Sequence, residues 1–269
     1  MLTKDVAICI RAVDYSETSQ IVTFFARAAG KISAIAKGSK RPKSAFDGPI
    51  EIFSYGKIVF SDSNKEKLAT LTEFATHQLG VPSTKKVSSF GAGQLVRGSG
   101  LSNNLYTMNC CLFGAELLNN LTHDYDPHPQ LFDDFLQFLE NIQNINNRHQ
   151  MLALLILFQL SLLKEVGLRP VLNACANCKT QYEHRVSSIE HRVYFSSSAN
   201  GLVCRDCEGA FPDRIRLTKR AANCLANLKL IAESKEKTLN EIETVLIHHF
   251  TELLGRKPKM AKYILKTSS

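Results

Sequence analysis

The 269-residue chain carries 33 Lys and Arg against 25 Asp and Glu, a formal net charge of +8, with a pI near 9.1. That balance points to a polyanionic partner, and the length exceeds the usual single-domain mode, so two or three units are expected. The longest apolar stretch, Met151 to Leu163, is broken by Gln159 and Ser161 and is too short to span a bilayer. With no apolar run behind a basic amino terminus, a soluble cytoplasmic protein is expected, with no membrane partner.

From Asp5 to about Gly80 the residue usage is that of strands. Val6, Ile8 and Ile10 alternate with Ala7, Cys9 and Arg11, and Ile32 to Ala36, Ile50 to Phe53, Lys57 to Phe60 and Leu68 to Thr72 continue the pattern. Gly30, Gly38, Gly48-Pro49, Gly56 and Ser61 to Asn64 supply turns between these five short strands. Their density predicts a small closed barrel of OB type, with an SH3-like barrel as the rival. Arg27, Lys31, Lys37, Lys40, Arg41 and Lys43 fall in one stretch with no acid between Glu17 and Asp47. Lys37-Gly-Ser-Lys-Arg-Pro-Lys43 joins a flexible glycine, a rigid proline and four cations, which suits a loop lying against a phosphate backbone. Phe46, Phe53 and Tyr55 follow it, and each is read as barrel filler ahead of a base-stacking platform.

Val81 to Lys86 reads as a hinge, after which apolar residues recur at helical spacing. Leu105, Met108, Leu112 and Ala115 make one helix, and Leu131, Phe135, Leu139 and Ile142 another after a Pro127-His-Pro129 start. Gln150 to Val166 is apolar nearly all round, predicting the buried centre of a bundle, ended by Gly167 and Pro170. Lys219 to Ala232 resumes helix, and Thr238-Leu-Asn-Glu241 has the form of a capping box before Ile242, Val245, Leu246, His249, Phe250 and Leu253. His249 and the Asp133-Asp134 pair are read as a packed histidine and a solvated face, not as catalytic groups.

Between these helices stand Cys175-Ala-Asn-Cys178 and Cys204-Arg-Asp-Cys207. Two such knuckles can close a tetrahedral site with no open position, so a structural Zn²⁺ held by Cys175, Cys178, Cys204 and Cys207 is the leading reading, ahead of a redox dithiol or two disulfides. The intervening stretch is long and contains His184 and His191 as substitute ligands. Cys9, Cys110, Cys111 and Cys224 sit in apolar segments and are read as small core residues. Unpaired thiols with a thiolate metal site agree with a reducing compartment. The chain has no GxxxxGK[ST], no GxGxxG after a strand, no HExxH and no GxSxG, so the common marks of nucleotide hydrolysis, dinucleotide binding, zinc proteolysis and serine hydrolysis are missing.

Arg11 to Phe24 followed by Gly30-Lys-Ile, the Ala36 to Ser44 basic loop, Asp126 to Phe132, Gly167-Leu-Arg-Pro-Val-Leu172 leading into the first cysteine pair, Gly201-Leu-Val-Cys204 and Leu254 to Lys259 occur together, and in that order and spacing the chain resembles the RecO family of bacterial recombination mediators over nearly its whole length. The resemblance implies an amino-terminal OB-fold barrel, an all-α domain and an embedded zinc module, an α+β multidomain class. It implies binding of single- and double-stranded DNA, annealing of complementary strands, capture of the acidic, apolar tail of single-strand-binding protein, and work with RecR that helps load RecA. That role in DNA repair and recombination calls for no enzyme chemistry. The expected division is 1–80 for the barrel, 81–172 and 211–269 for the helical domain, and 173–210 for the zinc module, in a cytoplasmic, nucleoid-associated protein. The rival readings are a zinc-ribbon nucleic-acid-processing enzyme, which would need clustered carboxylates, and a pure protein-interaction adaptor.

Overall fold

The change from two-residue to helical spacing is realised in a computed structural model that describes residues 2–42, 44, 46, 48–61, 68–77, 104–182 and 192–265. In chain order the elements are β1 (Leu2–Asp14), β2 (Gln20–Ala26), β3 (Gly30–Ala36), β4 (Tyr55–Ser61), β5 (Ala69–His77), α1 (Leu105–Leu121), α2 (Pro129–Gln143), α3 (Arg148–Glu165), β6 (Val193–Ser196), β7 (Gly201–Cys204), β8 (Ile215–Leu217), α4 (Lys219–Ala226) and α5 (Glu236–Leu254). The chain divides into two compact units, Met1–Asn104 with Thr122–Asn144, and Leu105–Leu121 with Ile145–Ser269. Val81 to Lys86 lies outside the described residues.

In the first unit the strands close a barrel in the order β1-β2-β3-β5-β4, with β3 and β5 its parallel pair, the OB-like arrangement expected. β1 serves both β2 and β4, and a bulge between Cys9 and Arg11 bends it from one partner to the other. The strand set differs from the expected one in two places. β2 is a strand that the spacing did not announce, because it is buried on both sides: Phe24 faces inward onto Phe74, ring centroids 5.2 Å apart, while Phe25 faces outward onto Phe132 of α2 at 6.2 Å. A strand covered on both faces reads as a continuous apolar run rather than an alternation. Conversely Ile50 to Phe53 is not a strand. Phe53 takes a left-handed φ of 65°, its N–H donates to Cys9 O at 2.7 Å, and Ile50 and Phe53 act as plugs on the barrel's inner and outer sides.

α2 belongs to this unit. Its Phe132 and Phe135 meet Phe25, Tyr55 and Phe53, and Pro129 opens its first turn. The segment before it runs against β3, where Tyr125 N–H donates to Lys31 O at 3.0 Å. Gly30, at φ +75°, makes that approach possible, since a Cβ there would lie 2.3 Å from the Asp126 carbonyl oxygen.

In the second unit α3 packs between α1 and α5 and is buried over most of its surface, with Gln150, Leu154, Leu157, Ser161 and Lys164 forming one partly exposed stripe, and it ends at Gly167 with φ +77° as expected. Two helix boundaries are corrected. The helix from Lys219 stops at Ala226 rather than continuing to Ala232, because Asn227 breaks it and caps the following 3-10 turn, its Oδ1 accepting from Lys229 N–H at 3.3 Å. α5 begins at Glu236, so Thr238 and Glu241 are inside it and form no capping box. Glu241 instead reaches across to α4: its carboxylate accepts from the Thr218 hydroxyl at 2.7 Å and from the Thr218 amide, while Thr218 Oγ1 caps Ala221 N–H at 3.3 Å. A three-stranded sheet, β7-β6-β8, completes the unit, with Phe195 of β6 edge-on to His249 of α5 at 5.2 Å. His249 is a packed histidine, as expected.

Candidate nucleic-acid interface and metal centre

The β3–β4 connection opens with Lys37, Gly38, Ser39, Lys40 and Arg41, and the local structure explains how it is held. Gln20, the first residue of β2, is buried, and its Oε1 accepts from Ser39 Oγ at 3.0 Å and from Ile50 N–H at 2.9 Å, while its Nε2 donates to Ile50 O at 3.3 Å. Ser19 Oγ accepts from Gly38 N–H at 3.2 Å, and Lys40 N–H donates to Thr18 O at 3.1 Å. The loop is thus pinned at both ends by β2 and the turn preceding it. Lys37 and Arg41 are exposed, whereas Lys40 is half-buried and pairs with Asp14 at 2.8 Å. Lys43 lies outside the described residues.

Arg27 and Lys31 have different surroundings. Arg27 makes a two-point contact with Asp133 of α2, Nε to Oδ1 at 2.9 Å and Nη2 to Oδ2 at 2.8 Å, which holds the Asp133 carboxyl below its usual range. Lys31 Nζ donates to Thr122 O at 2.7 Å and lies 3.3 Å from Asp124, with its side chain largely buried. Both cations tie the barrel to the segment carrying α2. Of the aromatics after the loop, Phe46 is in the barrel core, Phe53 is buried against Phe135 and Tyr55 leans on Phe132. None of the three offers a free stacking face. Gln20, Ser19 and Asp14 were not anticipated, although an isolated glutamine in an apolar run is a readable signal.

The four cysteines converge. Their Sγ atoms all lie within 4.8 Å of one another, and Cys178 and Cys204 are 3.7 Å apart. A tetrahedron of 2.3 Å metal–sulfur bonds has edges of about 3.8 Å, so the cluster can hold a metal of that geometry. The first knuckle turns at Lys179, φ 64°, whose N–H donates to Cys175 O at 3.0 Å. The second follows β7, where Gly201 lets Val171 pass so closely that a Cβ would lie 2.4 Å from its carbonyl oxygen. The electrostatics agree. The Thr180 hydroxyl and amide draw the Cys178 thiol down to about 6, and although burial opposes ionisation of Cys175, amide N–H groups led by that of Cys204 outweigh it. Burial pushes Cys204 up to about 12. Four crowded thiols cannot all ionise alone, and a divalent cation is what relieves that conflict. His184 and His191 lie outside the described residues. Cys9, Cys110, Cys111 and Cys224 are buried, and burial pushes the Cys9 thiol up to about 12, as befits inert core residues.

Comparison with known proteins divides the chain once, after the barrel strands, and so places α2 with the residues that follow the barrel. The family model described as Recombination protein O N terminal matches residues 1–79, and that described as Recombination protein O C terminal matches residues 102–262. The chain is 27% identical over 276 residues to the DNA repair protein RecO of Bacillus subtilis (strain 168), covering 98% of this chain and 94% of that protein. It is 26% identical over 277 residues to that of Bacillus pumilus, covering 100% and 96%. It is 30% identical over 226 residues to that of Anaeromyxobacter dehalogenans (strain 2CP-C), covering 84% and 77%.

Proposed function

The chain belongs to the Recombination protein O family of DNA repair proteins, and from that premise we propose that it is a recombination mediator acting in the cytoplasm on the nucleoid. It binds single- and double-stranded DNA, anneals complementary strands, and with RecR helps load RecA on strands coated with single-strand-binding protein. The observation that carries the reading is the pinned basic loop: Lys37 and Arg41 project from an OB-like barrel, with Lys40 half-buried between them. Lys43 extends the same run, and Arg27 and Lys31 contribute to the field while held in their ion pairs. Annealing is then a matter of charge, since cations screen the repulsion between two polyanionic strands.

Zinc in the four-cysteine cluster is structural, because four thiolates leave no coordination position for substrate. Among the described residues this is also the one cluster of three or more metal-ligating side chains, so the clustered carboxylates of a metal-dependent nuclease lack a counterpart there and a non-enzymatic role is favoured. Capture of the acidic, apolar tail of single-strand-binding protein needs cations beside apolar surface. In the second unit Arg256, Lys257, Lys259 and Lys262 are exposed in the same stretch as Leu253 and Tyr263, which answers to that need.

The test is strand annealing with zinc-loaded protein, run with single-strand-binding protein carrying or lacking its tail. A Lys37→Glu, Lys40→Glu, Arg41→Glu variant should lose annealing and flatten the log–log salt slope of single-strand binding by about 2, at roughly 0.7 per lost phosphate contact. An unchanged slope removes the loop from the site, and metal-dependent cleavage of DNA would favour the enzyme instead.

A further inference from the structure

The turn between β1 and β2 carries an aromatic ring that the barrel does not use. Among the described residues of the barrel, Tyr15 is the one large aromatic left exposed, at 64%, and Val13, two residues before it, is also exposed. The Tyr15 side chain makes no hydrogen bond and no ring contact among the described residues. Its backbone is nevertheless fixed. Asp14 pairs with Gln20 at the last rung of the hairpin, Tyr15 N–H and Ser16 N–H donate to Ser19 O at 3.0 and 3.2 Å, and Ser19 N–H donates to Ser16 Oγ at 3.2 Å. A single exposed apolar side chain is ordinary on a protein surface, and what distinguishes Tyr15 is its neighbourhood.

That neighbourhood is the basic loop. Lys40 N–H donates to Thr18 O at 3.1 Å, Gly38 N–H donates to Ser19 Oγ at 3.2 Å and Lys40 Nζ reaches Asp14 at 2.8 Å, so residues on both sides of Tyr15 hold the loop. Lys37 and Arg41 are exposed, and neither holds an ion pair among the described residues. Arg41 N–H closes a turn onto Gly38 O at 3.1 Å, and its side chain folds over Gly38, where an added Cβ would lie 3.4 Å from Arg41 Cδ. A ring and two unpaired cations thus rise from one hydrogen-bonded platform. Cations bind the phosphates of any nucleic acid, whereas a bare ring adds a π-face. Bases inside a duplex are already stacked on both sides, so only an unpaired base gains from it. Ser16, Glu17 and Thr18 beside the ring are polar, so it lacks the surround of neighbours that keeps water from an aromatic anchor in a protein interface.

We propose that Tyr15 is a base-stacking residue that gives the barrel a preference for single-stranded DNA, its ring lying against one unpaired base while Lys37 and Arg41 contact neighbouring phosphates. The inference rests on the barrel being a DNA-binding unit, and adds to that reading the strand state it recognises. Stacking engages a base by its face and leaves the hydrogen-bonding edge outward. A strand held in this way can still pair with its complement, and because the ring carries no charge the contact adds nothing to the salt dependence.

The chain contains no tryptophan, so Tyr15→Trp places a single indole at the site. In full-length, zinc-loaded protein its fluorescence should be quenched on titration with a thymidine oligonucleotide and unmoved by a blunt duplex. The indole reports its own site, so contacts elsewhere on the chain do not mask the result. Tyr15→Ala should lower affinity for the same oligonucleotide by about 5- to 150-fold, the usual worth of one stacked base, with duplex affinity, salt slope and melting temperature as in the wild type. Tyr15→Phe keeps the ring and should bind as the wild type does. The barrel-loop variant described above should lose affinity for strand and duplex alike. Wild-type single-strand affinity in Tyr15→Ala, an indole unquenched at saturation, or an equal loss on strand and duplex overturns the proposal. If the loop variant loses binding and Tyr15→Ala does not, stacking fails and the loop reading stands. If the loop variant binds normally and Tyr15→Ala fails on single strands alone, the loop reading fails and the role of the ring stands.

Discussion

Two buried titratable side chains in the second unit oppose each other in their response to pH. Glu243 is fully buried, its Oε1 accepting from Gln159 Nε2 at 2.9 Å, and burial pushes its carboxyl up to about 7. Its Oε2 and the Gln159 Oε1 have no partner, so a proton on Glu243 completes a two-bond acid–amide pair. The unfolded chain releases that proton near pH 4.5 and the folded one near 7, so this group's contribution is full below 4.5 and lost as pH rises to 7, on the order of 3 kcal/mol in all. His249 runs the other way. Burial, with the neighbouring charge of His248, lowers it to about 4, so the unfolded chain takes up a proton first and stability falls as pH drops from 6.5 toward 4. The two slopes offset each other between pH 4.5 and 6.5. Glu243→Gln, which keeps both hydrogen bonds, should raise the melting temperature at pH 8 and leave stability climbing from pH 4 to 6.5. His249→Phe should leave stability falling from pH 4.5 to 7. Urea midpoints across pH read both, and parallel profiles in the two variants would contradict the assignment. The helical period placed His249 on an apolar stripe, but no pattern in the sequence pairs Glu243 with Gln159, because the two are 84 residues apart and meet only when α3 and α5 pack.

At the scale of elements, what sequence spacing reveals depends on how many faces an element buries. α3 is apolar all round and legible, whereas β2 hides its alternation because α2 covers its outer side. The amphipathic stripe of α2 announces a helix but does not say which core it will cover. Capping was legible in kind and not in place: Thr238 and Glu241 have the right spacing, yet Glu241 serves Thr218 of the neighbouring helix. Glu241→Ala should therefore cost about 1 kcal/mol by unfolding, like loss of an N-cap, while Thr238→Ala should show no capping loss. Gly30→Ala should cost more, at least about 2 kcal/mol, because a left-handed residue and a blocked approach to Asp126 are imposed together. A wild-type melting curve for that variant would show that the 122–126 segment does not need to lie so close.

For the molecule as a whole, the cysteine spacing was the most legible feature, since two knuckles fix their own geometry wherever the fold carries them. Removal of metal should lower the melting of the second unit, by a free energy on the order of 10 kcal/mol of ligation at stake, and leave the barrel transition in place. Scanning calorimetry with and without chelator resolves this, and a single unshifted transition would exclude a structural role for the site. The net charge of +8 was less informative than it looked. Arg27, Lys31 and Lys40 are already matched by Asp133, Asp124 and Asp14, so half of the six cations of the barrel stretch are neutralised locally, and the field of the proposed interface would be set by the rest. The Gln20 side chain gives that field a thermodynamic character. Because it fastens Ser39 and Ile50 in the free protein, the proposed DNA contact would cost the loop little conformational entropy, and its cations would act from fixed positions. Gln20→Ala touches no charge and should leave the salt slope unchanged, yet it should weaken DNA binding through faster dissociation and a larger entropic penalty, so that affinity here is governed by a buried amide as much as by the charges it displays.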